Sequence, residues 1–388
     1  MKLLINTESL APPMTGIGIY TLNLLKQFIA SGEFEAIKCF SGHYFSEAKT
    51  SLEKAETDVP PDMVSGSKNG PVMAALRNSI LAYRAREAMR NTLLQMRSRQ
   101  FSDFVYHEPN FILKRHKGPA ISTIHDLSFI SYPQHHPSKR VAWLNAKMPD
   151  TLARADMIIT DSEQVRRELI ERYQLQEQKV RAIHLGAADH YAPQTAAQTH
   201  EVLSRYSLVH GQYLLFVGTL EPRKGVDVLM KGWANLPSHL KKAFPLVLAG
   251  APGWGNKSLQ AQIDALRNEG LRHLSFVPAS DLPSLYAGAG TFVYPSYYEG
   301  FGLPVLEAMK SGVPVICTGD TSMSEITGEH ALHIRAGDVD QLIDHMQSLL
   351  EDDILRASMS VAGITRAQTF SWEKCARQTM GVYRLFGV

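Results

Sequence analysis

Pro295-Ser296-Tyr297-Tyr298-Glu299-Gly300-Phe301-Gly302-Leu303-Pro304-Val305-Leu306-Glu307-Ala308-Met309 follows directly on the apolar run Thr291–Tyr294. An apolar run, two glycines and a proline ahead of a helical pattern describe a strand, a loop and a helix. Pro304 suits the first helical turn, where its missing N–H is not needed. Peptide N–H groups exposed at such a helix start favour oxygen-rich or anionic ligands. Gly300 and Gly302 let a ligand approach the main chain with no Cβ in the way. Glu299 in the loop and Glu307 one turn inside the helix can each accept hydrogen bonds from vicinal hydroxyls, which suits a sugar and a ribose gripped together. Either glutamate alone reads equally as a solvated loop residue or a complement to the helix dipole. Their combination with the glycines and proline turns the reading toward a site.

Working outward, short apolar runs alternate with helical patterns along the whole chain, the mark of an α/β fold with parallel strands. The strands expected in the first half are Lys2–Asn6, Ala36–Phe40, Phe104–His107, Ala120–His125, Met157–Asp161 and Val180–His184. Those of the second half are Tyr213–Val217, Pro245–Ala249, Leu274–Val277, Thr291–Tyr294, Val313–Cys317 and Ala331–Ile334. Six strands apiece supply one doubly wound sheet each. The 388 residues suit two such domains, with the break near 186–211, where Gln194–His200 lacks apolar periodicity. The expected domains are therefore 1–190 and 191–370, with ligands bound at the carboxyl ends of the strands. Residues 50–72 read as a mobile loop. Asn78–Arg99 reads as a basic amphipathic helix, either an ordinary surface helix or one resting on an anionic membrane.

Charge separates further classes. The first 190 residues hold 24 Lys+Arg against 20 Asp+Glu and the remainder 16 against 18, too even for a nucleic-acid-binding face. A weak peripheral contact with an anionic membrane stays open. The three cysteines, Cys39, Cys317 and Cys375, are far apart and form neither a disulfide framework nor a zinc site, which fits a reducing compartment. The opening Met1–Asn6 does not have the form of a secretory leader, and no run approaches the ~20 apolar residues of a membrane span. A cytoplasmic protein is expected.

The motif around Glu299 resembles the donor-site motif of retaining glycosyltransferases of family four, which have the GT-B fold, two Rossmann-like domains facing across a cleft; the resemblance implies that 1–190 is the acceptor domain and 191–370 the nucleotide-sugar donor domain. The likeness extends over most of the chain. Phe216–Gly225 resembles the family loop whose arginine and lysine, here Arg223 and Lys224, hold the donor pyrophosphate. Thr15–Gly18 resembles the N-terminal glycine loop, His125-Asp126 the active-site histidine segment, and Phe370–Glu373 the opening of a last helix, about 371–388, that packs back on the N-terminal domain. The resemblance implies catalytic roles for His125, Glu299, Arg223 and Lys224, and an orienting role for Asp126. It places Gly16, Gly18, Gly218, Thr219, Val277, Leu282, Gly300, Phe301, Gly302, Leu303 and Glu307 against the donor. The loop Pro278–Leu282 stands where the family's backbone meets the nucleobase.

The residues bear on these assignments individually. Arg223 and Lys224 lie just past a strand end, where cations stabilise a departing diphosphate, although spacing alone reads equally as two solvated cations. Gly16 and Gly18 precede a helix expected from about Ile19, but a full G-x-G-x-x-G is absent because Thr21 occupies the last position. A lone histidine such as His125 is by itself more often structural. Asp338-Val339-Asp340 has the look of a metal-holding DxD, but helix capping explains it better, and no essential metal is expected. His125–Phe129, Tyr132-Pro133 and His136-Pro137 most resemble bacterial mannosyl- and rhamnosyltransferases that build lipopolysaccharide O-chains. That implies a GDP-linked sugar donor, no further cofactor, and a lipid-linked glycan acceptor at the inner face of the cytoplasmic membrane. A nucleotide-sugar epimerase, a nicotinamide oxidoreductase and a silent sugar-nucleotide-binding partner remain as alternatives, and the incomplete glycine fingerprint disfavours the oxidoreductase.

Overall fold

The computed structural model describes residues 1–12, 14–57, 80–97, 99–253 and 257–387. The chain divides into two compact units. The first comprises Met1–Asp161, Val165–His184 and Trp372–Val388, and the second Ser162–Gln164 and Leu185–Ser371. The change of unit at His184/Leu185 comes a few residues before position 190.

The first unit is built on seven strands: β1 Lys2–Asn6, β2 Ala36–Phe40, β3 Phe45–Glu47, β4 Val105–Glu108, β5 Ala120–Ile124, β6 Met157–Thr160 and β7 Val180–Ala182, in the order β3-β2-β1-β4-β5-β6-β7. All neighbours are parallel except β2 and β3. Every residue of β4, β5 and β6 is buried, which is why these segments read as continuous apolar runs: a parallel sheet is covered on both faces. Leu4, Phe40, Tyr106, Ile124, Ile158 and Val180 belong to one apolar cluster with Phe111, Phe129 and Met148. Each such side chain contributes roughly 1.5–3 kcal/mol on burial. The C-terminal helix Trp372–Arg384 packs on the helix Gly16–Ser31 and buries Trp372, Cys375, Met380 and Tyr383.

The second unit has six parallel strands, β8 Leu214–Val217, β9 Leu246–Ala249, β10 Arg272–Leu274, β11 Thr291–Tyr294, β12 Val315–Thr318 and β13 Leu332–Ile334, ordered β10-β9-β8-β11-β12-β13. Its core holds Phe216, Leu248, Phe292, Ile316, Leu306 and Trp233. In both sheets the order reverses beside the first strand, so β1/β4 and β8/β11 are the switch points at which such folds place ligands.

Several local expectations are corrected. Gly16 opens the first helix, so Gly16 and Gly18 lie in its first turn instead of a loop before Ile19. Residues 48–57 form the helix Ala48–Thr57, not the start of a loop, while 58–72 lie outside the described residues. The stretch read as linker contains the helix Ala196–Arg205, opened by a capping box between Thr195 and Gln198. β10 pairs Arg272 with Val247 and ends at Leu274, and beyond it Phe276 is exposed. Of the basic helix, Ile80–Arg97 is helical, Leu94 is fully buried and Met96 is exposed. The side chains of 80–87, Arg84 and Arg86 included, lie outside the described residues.

Candidate active site

The β8/β11 switch point brings two distant segments together. After β8 the chain passes Gly218 and Thr219 and forms a short 3-10 turn, Pro222–Lys224. After β11 it forms the Pro295–Gly302 loop and enters the helix Leu303–Lys310 with Pro304 in the first turn. The segments are interlocked through Gly225. At φ 66° it lies in the left-handed region, and a Cβ there would meet the Pro295 carbonyl oxygen at 2.1 Å, so only glycine lets the loops approach. The Tyr297 N–H donates to the Arg223 carbonyl at 2.9 Å.

This packing gathers three hydrogen-bond donors and a guanidinium around one carboxylate oxygen. Glu299 Oε1 accepts from Lys224 Nζ at 3.1 Å, Tyr294 Oη at 3.2 Å and Ser296 Oγ at 2.9 Å, and the Arg223 guanidinium lies 3.3 Å away. Lys224 also donates to Tyr294 Oη and Arg223 to the Tyr298 carbonyl. Arg223 faces Glu221 as well, at 3.7 Å. Burial alone would raise the Glu299 pKa, but Lys224 and Arg223 outweigh it and hold the carboxyl down at about 2. Burial likewise opposes the Lys224 charge, and Glu299 more than offsets it, leaving the ammonium more firmly protonated than a free lysine. The sequence-identified cations are thus nearly buried partners of the loop glutamate. Glu299 Oε2 takes no hydrogen bond among the described residues.

Glu307 lies in a different environment. Its Oε2 accepts from Tyr286 Oη at 2.9 Å, and Tyr191 contributes a second hydrogen bond. Tyr191 and Tyr286 meet edge to face at 5.4 Å. Desolvation outweighs both bonds and raises the Glu307 pKa to about 7. Two carboxylates eight positions apart are therefore driven in opposite directions by their surroundings.

The remaining donor-loop residues flank these groups. Gly218, at φ 149°, would place a Cβ 3.5 Å from Lys224 Cδ, and Thr219 follows it half-buried. Gly302 caps the Leu303 helix at φ 112°, with Gly300 and Phe301 buried before it, Phe301 edge-on to Phe370. Val277 lies in the loop past β10. Leu282 begins the helix Leu282–Ala287 after Asp281, which is tied to Arg205 at 3.0 Å and Tyr206 at 2.7 Å. Asp338 caps the helix Val339–Glu351 by accepting from the Gln341 N–H at 3.0 Å.

His125, Asp126, Gly16 and Gly18 belong to the first unit. His125 follows β5 with both ring nitrogens engaged: Nδ1 with Asp161 Oδ2 and Nε2 with the Pro109 carbonyl, each at 2.7 Å. The Pro109 carbonyl only accepts, so Nε2 donates to it, while Nδ1 faces the Asp161 carboxyl. Burial favours the neutral ring, yet Asp161 and the Pro109 carbonyl outweigh it and raise the pKa. Asp126 accepts from the Ser128 N–H and hydroxyl at 3.0 and 2.8 Å, fixing the turn. Gly18 is packed so that a Cβ would strike the Ser9 carbonyl oxygen at 2.5 Å, whereas Gly16 faces open space.

Four contributors to the second unit's cluster escaped sequence reasoning: Tyr294, Ser296, Tyr191 and Tyr286. Tyr294 ends an apolar run and Ser296 sits inside the quoted motif, so alternation of polar groups at a strand end was available as a signal. Tyr191 and Tyr286 reach Glu307 only through the fold, and no local pattern marks them.

Comparison with known proteins fits this geometry. Residues 14–189 match the family model described as Glycosyltransferase Family 4, and residues 209–366 that described as Glycosyl transferases group 1. The O-antigen chain mannosyltransferase B of Escherichia coli is 36% identical over 386 residues, 99% of this chain and 100% of that protein. The D-inositol 3-phosphate glycosyltransferase of Corynebacterium aurimucosum is 31% identical over 238 residues, 59% of this chain and 56% of its own. Among solved structures, WaaG, a glycosyltransferase involved in lipopolysaccharide biosynthesis, superposes with TM-score 0.71 at 15% identity over 98% of this chain and 99% of its own. Anabaena HepE in complex with UDP and glucose does so with TM-score 0.71 at 19% identity over 99% of both chains.

Proposed function

The chain belongs to the family 4, group 1 glycosyltransferases, and from that premise we propose that it transfers mannose or rhamnose from a GDP-sugar to a lipid-linked glycan during assembly of a cell-surface O-antigen. The full-length similarity to an O-antigen chain mannosyltransferase supports this choice of substrates. The observation that carries the reading is the Glu299 carboxylate held ionised by Lys224 and Arg223 at the β8/β11 switch point.

In this reading Glu299 Oε2 accepts from the hydroxyls of the transferred sugar, and Glu307 from those of the ribose. The bond between the anomeric carbon and the diphosphate oxygen breaks as the acceptor hydroxyl attacks from the same face, and the departing phosphate takes the acceptor proton. Configuration is retained. The oxocarbenium-like centre and diphosphate form a short-lived ion pair, and Lys224 and Arg223 stabilise its growing negative charge as preorganised cations. No step uses a metal, so turnover is expected to persist in excess EDTA. Among the described residues no helix is long and apolar enough to cross a membrane, and the acceptor's lipid would be met by peripheral contact. The test is proton NMR of the product formed from GDP-mannose and a mannoside acceptor. An α-linked product formed from the α-linked donor supports the reading, and a β-linked product or none overturns it.

A further inference from the structure

Glu307 lies in the helix that follows β11, and its surroundings are assembled from separate segments of the second unit. Tyr286, fully buried in the helix Leu282–Ala287, donates to Glu307 Oε2 at 2.9 Å. Tyr191, 7% exposed, contributes the second hydrogen bond and meets the Tyr286 ring edge to face at 5.4 Å. The segment that carries Tyr191 is itself fastened to the Glu307 helix. Lys310, three positions after Glu307 and so on the same helix face, donates to the Ala187 carbonyl at 3.0 Å and to Asp189 Oδ1 at 2.8 Å. Packing does not account for the two phenol hydroxyls. Phenylalanine at 191 and 286 with a neutral residue at 307 would fill the same volume and leave no carboxylate to desolvate.

The two bonds act on the torsion that packing leaves loosest. The last torsion of a glutamate side chain is broad and nearly two-fold, so an unheld carboxylate presents its oxygens over a wide arc. A carboxylate that accepts two adjacent hydroxyls at once needs a fixed plane. Tyr286 grips Oε2 from one helix and Tyr191 reaches the same carboxyl from another segment, which together fix that plane. We propose that Tyr286 and Tyr191 are positioning residues that hold the Glu307 carboxylate to receive both hydroxyls of the donor's ribose, so that preference for ribose over 2′-deoxyribose depends on them, an inference that rests on the reading above that Glu307 meets the ribose. The tyrosines act through Glu307 and need not touch the donor themselves.

Calorimetric titration of the full chain at pH 8, with GDP and 2′-deoxy-GDP as probes, tests it without turnover. Wild type is expected to bind GDP about tenfold more tightly than 2′-deoxy-GDP, the effect of one hydrogen bond to a charged group. Tyr286→Phe and Tyr191→Phe should each shrink that ratio to about threefold or less, by weakening GDP and leaving 2′-deoxy-GDP nearly unchanged. In Glu307→Gln the ratio should already be lost, so adding Tyr191→Phe should change it no further. A role in packing alone would weaken both nucleotides alike and keep the ratio. In transfer assays both tyrosine variants should raise the GDP-mannose KM and leave kcat unchanged. If Tyr286→Phe, at a fully buried position, fails to fold, Tyr191→Phe decides alone. A wild-type ratio near one, or an unchanged ratio in the folded tyrosine variants, overturns the proposal, as does binding of neither these probes nor UDP and 2′-deoxy-UDP. The expected ratios found only with the uridine pair support it and count against a GDP-linked donor alone. The expected ratios with no transfer from any donor support it and count against the transferase reading alone.

Discussion

Glu299 and Glu307 show how one short motif supports two protonation behaviours. Cations depress the first to about 2 and desolvation raises the second to about 7, each displacement being on the order of 3 kcal/mol. The consequences for stability have opposite signs. Glu299, ionised more readily folded than unfolded, contributes stability that is complete above its ordinary pKa near 4.5 and lost as pH falls through about 2. Glu307, protonated more readily when folded, takes stability away as pH rises from 4.5 through 7. Glu307→Gln, which stays neutral, should therefore raise the melting temperature at pH 8 and leave it little changed at pH 4, as differential scanning calorimetry would read. An equal shift at both pH values would contradict the assignment. Donor hydroxyls favour the ionised Glu307, so GDP-mannose affinity should rise between pH 6 and pH 8 in wild type, and calorimetric titration should find that rise absent from Glu307→Gln. Lys224→Ala leaves Arg223 beside Glu299 and should keep the fold, yet lower transfer by about 100-fold or more through loss of a preorganised charge.

At the scale of elements, the site depends on the contact between the 3-10 turn after β8 and the loop after β11. Gly225→Ala adds a Cβ onto the Pro295 carbonyl oxygen, beyond the roughly 1–2 kcal/mol of a left-handed alanine, so it should lower both melting temperature and turnover. Normal turnover in this variant would show that the two loops need not touch. The C-terminal helix is held by a polar link: Tyr383 Oη meets His107 Nδ1 at 2.6 Å, and His107 Nε2 meets Thr123 Oγ1 at 2.8 Å. Tyr383→Phe strands a buried ring nitrogen and should cost about 1–3 kcal/mol in denaturant titration. Elements of this kind were legible to differing degrees. Fully buried strands such as Ala120–Ile124 declare themselves as apolar runs. The three-residue strand Phe45–Glu47 does not, because its pairing of Phe45 with Phe40 across an antiparallel edge is a tertiary fact. The helix Ala196–Arg205 buries only Thr199 and Leu203, too little for a periodicity, and its one local signal was the Thr195–Gln198 capping box.

At the scale of the molecule, the first six strands of each sheet follow the same order, and each switch point carries a buried ionic cluster. The strand–loop–helix reading around Glu299 is present in the sequence because glycine and proline punctuate it locally. The polar and cationic environment of Glu299 is not, since Lys224 stands 75 residues away and arrives only because β8 and β11 are neighbours. A thermal-shift panel of GDP-, UDP-, ADP- and dTDP-sugars should give its largest rise with GDP-sugars, because ligands that bind only the folded state raise the melting temperature. The central claim is that Glu299, fixed by Lys224 and Arg223, grips the activated sugar during transfer. Its most direct test is the single-turnover rate of GDP-mannose consumption by Glu299→Gln, whose shape is preserved and whose charge is lost. The account expects a fall of about 100-fold or more in protein still folded at the assay temperature, the melting temperature being lowered by loss of the Glu299 ion pairs, and a wild-type rate would contradict it.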